Sequence, residues 1–558
     1  MVYPKVTDDD FYNKIKIKYK KFKVAKTTKT YDQWCYPKQF TLLLPQQFLS
    51  NFINPNTPYK DILVYHRIGS GKTCAAIQIA EKWKRYKRIL IVLPASLRGN
   101  FRNELRSKCA GDIYITEHDR TKLTTLDPLD DEYNEIIKKS NERIDKYYEI
   151  YSYNKFVELT ETNELNLKNA VLIIDEIQNM ISEHGTFYRV LYNTIKKAPL
   201  DLRIILLSAT PMFDRPNELA LTLNLLRLPK ELPTGKDFDA MFIDTNKKSN
   251  SVKNMDIFKS YIKGFISYYL GAPSFVFPET KIHFVKCVMS DFQYKIYKEV
   301  SDYEETFKNE LSNDFYIGTR MISNIVFPNG MLNEKGFAML TSQVIKKNLE
   351  KYSCKFVAII DKIKKTKGKI FVYSNFKEFG GLASFIKILE TFGYKNYMRH
   401  GTGKRTFAVW TGDETDLQKN EIRTVYNHEN NIYGKKIKIL LGSSAIKEGV
   451  TLFNVRQTHI IEGYWNWTKI KQVIGRVSRL CSHKQLPEEE RNVKIYLYLA
   501  VANNNKVITV DEYMKKLAQT KEKLIRQFEN AIKESAIDCE LNLNANTNDG
   551  IDPIVCDK

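Results

Sequence analysis

Short aliphatic runs recur in two stretches of the chain, each run followed by a segment with apolar residues every three or four positions. From Leu42 to about Leu226 the runs read DILVYH, RILIVLP, AVLIIDE and RIILLSAT, with helical stretches such as TCAAIQIAEKWKRY between them. Aliphatic runs without alternation are what strands buried on both faces of a parallel sheet present, because both sides must meet apolar atoms. Strands of this kind alternating with helices predict a doubly wound α/β domain. Residues 227–355 lose the rhythm and become helical and aromatic, as in KSYIKGFISYYL and DFQYKIYKEV. It returns over 356–501 in KIFVYSNF, FAVWTGD, IKILLGSS, QTHIIEGY and VKIYLYLA, which predicts a second α/β domain. A helix is expected over 502–540, and the polar stretch LNLNANTNDGIDP within 541–558 is expected to be disordered. The first 40 residues form a basic extension. Its segment KIKIKYKKFK, 14–23, alternates Lys with Ile, Tyr and Phe, which predicts a lysine-guarded edge strand or a solvated arm.

Composition changes this picture in three ways. The 558 residues allow several domains of ordinary size. An excess of 87 Lys and Arg over 65 Asp and Glu gives a net charge of +22, which points to a polyanionic partner, although an AT-rich genome also inflates Lys, Asn, Ile and Tyr. The eight cysteines never form a C-x-x-C, so neither a zinc ribbon nor a disulfide framework is expected, and a reducing compartment is. MVYPKVTDDD is not a signal peptide and no apolar run approaches a membrane span, so no membrane partner is expected.

The chemistry concentrates after two strands. HRIGSGKT, 66–73, follows DILVY and precedes a helix. In such a loop Gly69, Ser70 and Gly71 curl backbone N–H groups around phosphate oxygens, and Lys72 reaches the terminal phosphates. Thr73 holds Mg²⁺, and the helix N-terminus adds its dipole. The full pattern wants Gly at the first position, where this chain has His66. Asp175 and Glu176 end the run VLII, where α/β sheets bind ligands. Asp175 is read as positioning Mg²⁺ through water and Glu176 as the base that activates the attacking water. Together these predict an ATP site. Gln472, Arg476 and Arg479 stand at Q-x-x-x-R-x-x-R spacing, which predicts one face of a helix.

Over residues 43–480 the chain carries an ordered set that resembles the motifs of superfamily 2 helicases and translocases. LLPQQ ends in Gln47, where such enzymes place the glutamine that reads adenine. LPASLRGNF (93–101), with Pro94 and Ser96, and SYNKF (152–156), with Ser152 and Asn154, resemble strand-contacting motifs. DEIQ puts Gln178 at the coupling position, and SATP supplies Ser208, Ala209 and Thr210 as a linker between hydrolysis and nucleic acid. FVYSNF contributes Ser374 and Asn375, and SSAIKEGVTL contributes Ser443 and Ser444 to the strand and Glu448 and Gly449 to coupling. QVIGRVSR carries the arginines, which the resemblance places on the γ-phosphate. It implies two RecA-type P-loop domains, 41–226 and 356–501, with a helical insertion between them and a helical C-terminal extension.

WNWTKIKQVIGRVSRLCSH is similar to Swi/Snf-type translocases. RIILLSATPMFDRPNELALTLNLL, GFISYY, NIVFP, FVYSNFKEFGG and ESAIDC resemble helicase-like ATPases of nucleocytoplasmic large DNA viruses, relatives of the poxvirus early transcription factor small subunit and nucleoside triphosphatase I, with kin on linear cytoplasmic yeast plasmids. This resemblance implies an ATPase stimulated by DNA rather than RNA and working with a virus-type RNA polymerase or transcription factor. The setting would be the host cytoplasm or virus factory, with packaging in the virion left open. A strand-separating helicase, or a scaffold subunit with a vestigial ATPase, stays as an alternative.

Overall fold

The run AVLII forms a strand whose alternate residues enter different cores: Ala170, Leu172 and Ile174 join one apolar cluster, Val171 and Ile173 another. That two-sided burial is why the sequence shows no alternation. The computed structural model describes residues 3–126, 130–182, 185–244, 251–306, 316–446, 450–503, 507–547 and 553–558. It divides into two units, residues 1–274 with 521–558, and residues 275–520. No helix among the described residues is long and apolar enough to cross a membrane.

The first unit is built on β1 (Asp61–His66), β2 (Arg88–Leu93), β3 (Tyr148–Ser152), β4 (Ala170–Ile174) and β5 (Arg203–Ser208). A small antiparallel pair, β6 (Ile243–Asp244) and β7 (Ser251–Val252), stands apart, and β8 (Ile266–Tyr269) joins the main sheet. The order is β3-β2-β4-β5-β1-β8, with every pairing in this sheet parallel. Carboxyl ends of β1, β4 and β5 therefore lie along one edge of the sheet.

Three expectations need correction here. Residues 14–23 are neither edge strand nor arm: Phe11–Lys18 is a helix and Lys20–Phe22 a 3₁₀ turn. Phe11, Ile15, Tyr19 and Phe22 recur at helical spacing and are buried, and Tyr19 lies 5.2 Å from the ring of Phe48. Residues 227–355 are not only helical, since they supply β8 to this sheet and one strand to the other. The polar tail packs where it is described, and residues 548–552 of the stretch expected to be disordered lie outside the described residues. Residues Cys539–Asn546 are helical, and Leu541 and Asn542 are buried. The Phe528 ring lies 5.4 Å from those of Phe238 and Phe258, tilted against the first and edge-on to the second, so the C-terminal segment completes the core of the first unit.

The cysteine expectation also fails. Cys74 is joined to Cys109 and Cys539 to Cys556 by disulfides. The partners are 35 and 17 residues apart in sequence, too far for a C-x-x-C search to register.

The second unit carries β9 (Glu279–Val288), β10 (Lys369–Tyr373), β11 (Lys395–Asn396), β12 (Thr406–Trp410), β13 (Ile439–Gly442), β14 (Val455–Ile460) and β15 (Asn492–Val501). They form one parallel sheet in the order β11-β12-β13-β10-β14-β15-β9. Its faces again divide by parity, Ile370 and Val372 into one cluster, Phe371 and Tyr373 into the other. Lys355 and Asp511 form a buried ion pair at 2.7 Å. Lys355 also donates to Asn324 Oδ1 at 2.9 Å, and Asp511 accepts the Ala500 N–H at 2.7 Å. Removing one partner strands a charge, so Lys355→Ala should cost about 3–5 kcal/mol, read as a lower urea midpoint for this unit. A midpoint unchanged from wild type would show that water reaches Asp511.

Candidate nucleotide site

β1 ends at His66 and the chain turns through residues 67–71 into the helix Lys72–Trp83. Gly69 and Gly71 have φ of 83° and 77°, the left-handed region that favours glycine. A Cβ on Gly71 would fall 2.3 Å from Gln46 Nε2, which donates to Gly71 O at 3.1 Å. Gln46, buried in the helix Leu44–Phe52, is thus the glutamine that touches the loop, while neighbouring Gln47 donates to Leu42 O at 2.9 Å. Ser70 Oγ is buried without a hydrogen-bond partner, and the helix that follows starts with no side-chain cap. An orphan hydroxyl and open helix N–H groups beside a lysine suit a phosphate.

The acid pair lies across from the loop. Asp175 N donates to Val92 O at 2.9 Å, continuing the sheet one residue past β4. Lys72 Nζ is 2.8 Å from Glu176 Oε1 and 3.5 Å from Asp175 Oδ1. Burial lifts the Asp175 carboxyl to about 6, against the opposing pull of Lys72. Glu176 has φ of 52°, a strained conformation for a residue with a side chain. Tyr153 holds it there: its hydroxyl donates to Asp175 O at 2.7 Å and to Glu176 O at 2.9 Å. Sequence reasoning named its neighbours Ser152 and Asn154 and missed Tyr153, which the motif gave no reason to prefer over its other aromatic, Phe156.

A chain of hydrogen bonds leaves Glu176. Gln178 Nε2 donates to Glu176 Oε2 at 2.7 Å, and Ser208 Oγ donates to Gln178 Oε1 at 2.8 Å. Thr210 N then donates to Ser208 Oγ at 3.0 Å. Ser208 is buried and Ala209 and Thr210 half-buried at the end of β5. A second buried chain runs from the loop's first residue toward the C-terminus. His66 Nε2 is 2.9 Å from Ser267 Oγ, which donates to Asp538 Oδ2 at 2.6 Å, while Asp538 Oδ1 accepts the Tyr268 N–H. Because Ser267 spends its proton on Asp538, the imidazole donates from Nε2. Burial and the nearby Lys72 charge hold its pKa at about 3.

Several of the remaining expected residues fall at or just after carboxyl ends of strands. Pro94 and Ser96 follow β2. Ser152 ends β3, its hydroxyl capping the next helix by accepting Lys155 N at 3.2 Å, and Asn154 is exposed. In the second unit Ser374 follows β10 but is fully buried, its hydroxyl 3.0 Å from Glu462 Oε1, so it is not a surface contact. Asn375 beside it is half-buried and accepts the Tyr373 hydroxyl. Ser443 is buried and Ser444 exposed after β13. Gln472 and Arg476 lie in the helix Trp467–Val477, whereas Arg479 comes after it, because Ser478 leaves helical geometry. Arg479 instead turns back and donates from Nε to Gly475 O at 2.9 Å. Glu448 and Gly449 lie outside the described residues. His459 and His483 are buried and structural, and His400 is exposed. Cys74, Cys109 and Glu104 have ligand atoms within 4.8 Å of one another, but the sulfurs are bonded to each other.

A glycine loop after one strand, with its lysine on an acid pair at the end of a parallel strand one place removed in the sheet, defines a P-loop nucleoside triphosphatase. A profile of the SNF2-related domain matches residues 58–337, and one of the helicase conserved C-terminal domain matches 354–481. A protein of Acanthamoeba polyphaga mimivirus, named as a candidate ATP-dependent RNA helicase, is 50% identical over 100% of this chain and 99% of its own length. A candidate helicase of Invertebrate iridescent virus 3 is 29% identical over 91% of this chain and 54% of its own. A termination factor NPH-I homolog of African swine fever virus is 27% identical over 87% of this chain and 77% of its own. A solved SWI2/SNF2 ATPase core of Sulfolobus solfataricus, in complex with dsDNA, is 17% identical over 87% of this chain and 92% of its own, with a TM-score of 0.31, too low to support any inference. The chain belongs to the SNF2-related helicase family. It is a helicase-like ATPase of the type found in nucleocytoplasmic large DNA viruses.

Proposed function

We propose that this ATPase is a translocase on nucleic acid, DNA rather than RNA, that serves a virus-type RNA polymerase in initiation or transcript release. The reading rests above all on the hydrogen-bond chain from Glu176 through Gln178 to Ser208 and Thr210, which ties the hydrolytic base to a loop outside the nucleotide site. An enzyme that only hydrolysed ATP would have no use for such a link. The relative named as a termination factor homolog supports the transcription role, and the net charge of +22 supports a nucleic-acid partner. The intact Lys72 and acid pair argue against a vestigial ATPase. The place of work in this reading is the host cytoplasm or virus factory.

Each residue has a task. Backbone N–H groups of the Gly69–Gly71 loop cradle phosphate oxygens, and Lys72 leaves its carboxylates to follow the terminal phosphate. Glu176, freed from Lys72, takes the proton of the attacking water, held in place by Tyr153 and Gln178. Thr73 and Asp175 would hold Mg²⁺, which when bound neutralises phosphate charge. Gln472, Arg476 and Arg479 are assigned phosphate contact during turnover.

The decisive experiment measures ATP turnover with no nucleic acid, single-stranded DNA, duplex DNA and RNA in parallel. Stimulation by RNA alone would sink the DNA reading and favour the activity named for the 50%-identical mimivirus relative. A separate test addresses coupling. Ser208→Ala removes the middle of the chain, a loss of about 1–3 kcal/mol if confined to that link. Nucleic-acid stimulation should fall several-fold more than basal turnover. Equal loss of both rates would assign Ser208 to hydrolysis itself.

A further inference from the structure

A row of rings crosses the edge of the second unit's sheet and ends at an exposed histidine. In the parallel register Lys281 on β9 faces Lys494 on β15, and His283 faces Tyr496, which in turn faces His459 on β14. Residues matched this way share one face of a sheet. The rings of His283 and Tyr496 stack at 5.2 Å and 24°, those of Tyr496 and His459 at 5.3 Å and 16°. The inner end of the row, His459, is fully buried. Its outer end, His283, is exposed on β9, the last strand of the sheet.

A cavity of about 680 Å³ opens here, lined by Lys281, His283, Lys286, Lys362, Lys494 and Tyr496 among others, none of them acidic. That volume falls in the range of about 300–1,000 Å³ that small-ligand sites occupy. Lys362 Nζ sits 4.5 Å above the Tyr496 ring. Lys281 pairs with Glu279 at 3.0 Å and Lys286 with Glu512 at 3.8 Å. Both lysines are more than half exposed, so those pairs are weak and exchange readily for phosphate. Lysines alone would be ordinary guards of an edge strand. Guards do not need a stack of rings leading out of the core.

We propose that this face of β9 and β15 is a nucleic-acid contact outside the helicase motifs, taking a short single-stranded segment. A base continues the row on the outer face of His283, and Lys281, Lys362 and Lys494 hold the flanking phosphates. Aromatic stacking beside a basic track is how sequence-tolerant single-strand sites work. An acidic peptide added to the open edge would use the lysines but leave the ring face without a partner. The inference rests on the nucleic-acid reading above, and the test separates the two.

The full chain, without nucleotide, is titrated with a fluorescent twelve-residue oligothymidylate between 50 and 200 mM salt. The Lys281→Glu/Lys494→Glu variant should bind more weakly and lose about 1.4 from the log–log salt slope, about 0.7 for each of two phosphates. His283→Ala should weaken binding roughly 5- to 100-fold with the slope unchanged, and His283→Trp should restore it. Iododeoxyuridine in the oligonucleotide should photocrosslink to the peptide bearing His283. Unfolding temperatures near wild type confirm that these exposed replacements leave the fold intact. Wild-type affinity and slope in all variants, with crosslinks elsewhere, would overturn this site and leave the translocase reading standing. No oligothymidylate binding by the wild type would overturn this site, and the translocase reading would fall with it only if duplex DNA and RNA also left ATP turnover unstimulated. Polyglutamate binding that the double variant loses, with DNA binding untouched, would make the groove a peptide site and overturn the proposal.

Discussion

Lys72→Ala lowers the turnover number for ATP by roughly 10²–10³-fold or more, the cost of removing one oriented donor from a charge-stabilising site. Two effects add here. The variant loses the cation that would follow the terminal phosphate, and it leaves Asp175 and Glu176 facing one another without the ammonium now 2.8 Å from Glu176. With its counter-charge gone, the Asp175 carboxyl, already raised by burial, is pushed higher still. A loop lysine read from sequence alone would be a surface residue whose loss spares the fold. Lys72 is only 9% exposed, so a fall in unfolding temperature should accompany the loss of activity. Phosphate release and thermal melting test this together. Turnover above a tenth of wild type would mean that the loop has been misassigned.

Asp538 should govern stability as strongly as Lys72 governs activity. Its carboxylate accepts from Ser267, from the Tyr268 N–H and from Asn542, and Asp538→Ala orphans all three donors at about 1–3 kcal/mol each. The pH dependence carries a sign. Burial raises its carboxyl from the usual 3.8 to about 6, so the folded state prefers the protonated acid. That contribution is fully present below about pH 4 and is lost as pH rises toward 6. At about 1.4 kcal/mol per unit it amounts to a few kcal/mol. His66 works in the opposite sense: its imidazole is held near 3, so its contribution is lost as pH falls from 6.5. A wild-type curve therefore mixes both. The stability of wild type minus that of Asp538→Asn, from urea unfolding at pH 4 and pH 7, isolates the acid. The difference should be smaller at pH 7; a larger one would show that Asp538 is stabilised as the anion.

Both predictions start from residues whose legibility differed. Lys72 was legible because G-x-G-K-T is a local pattern dictated by phosphate geometry, and β4 because a strand buried on both faces leaves an unbroken aliphatic run. The link from Gln178 to Ser208 could be foreseen because both residues follow strands that end on the same edge. Asp538 stood in a stretch, ESAIDC, that carried only a family likeness, since its partners lie 271 and 270 residues away. Distance in sequence hid the disulfides in the same way. β9 escaped because an edge strand is exposed along most of its length, so ETKIHFVKCV shows neither an aliphatic run nor clean alternation. The contact of Gln46 with the loop was not legible because adjacent residues on a helix differ by about 100° of rotation, and spacing does not say which one faces the loop.

The return of residues 521–558 to the first unit has a consequence for how the protein is made. A ribosome delivers β1 through β8 early, then spends the next 250 or so residues on the other unit, roughly 12–50 s at ordinary rates of synthesis. Throughout that interval the edge strand β8 has its backbone groups and Ser267 facing water, with Asp538 and Asn542 not yet translated. The unit that emerges first is thus the last to be finished. A nascent chain halted after the second sheet would carry every residue of the ATP-binding loop and still lack the strut beneath it, so competence to bind nucleotide should arrive abruptly, with the final forty residues.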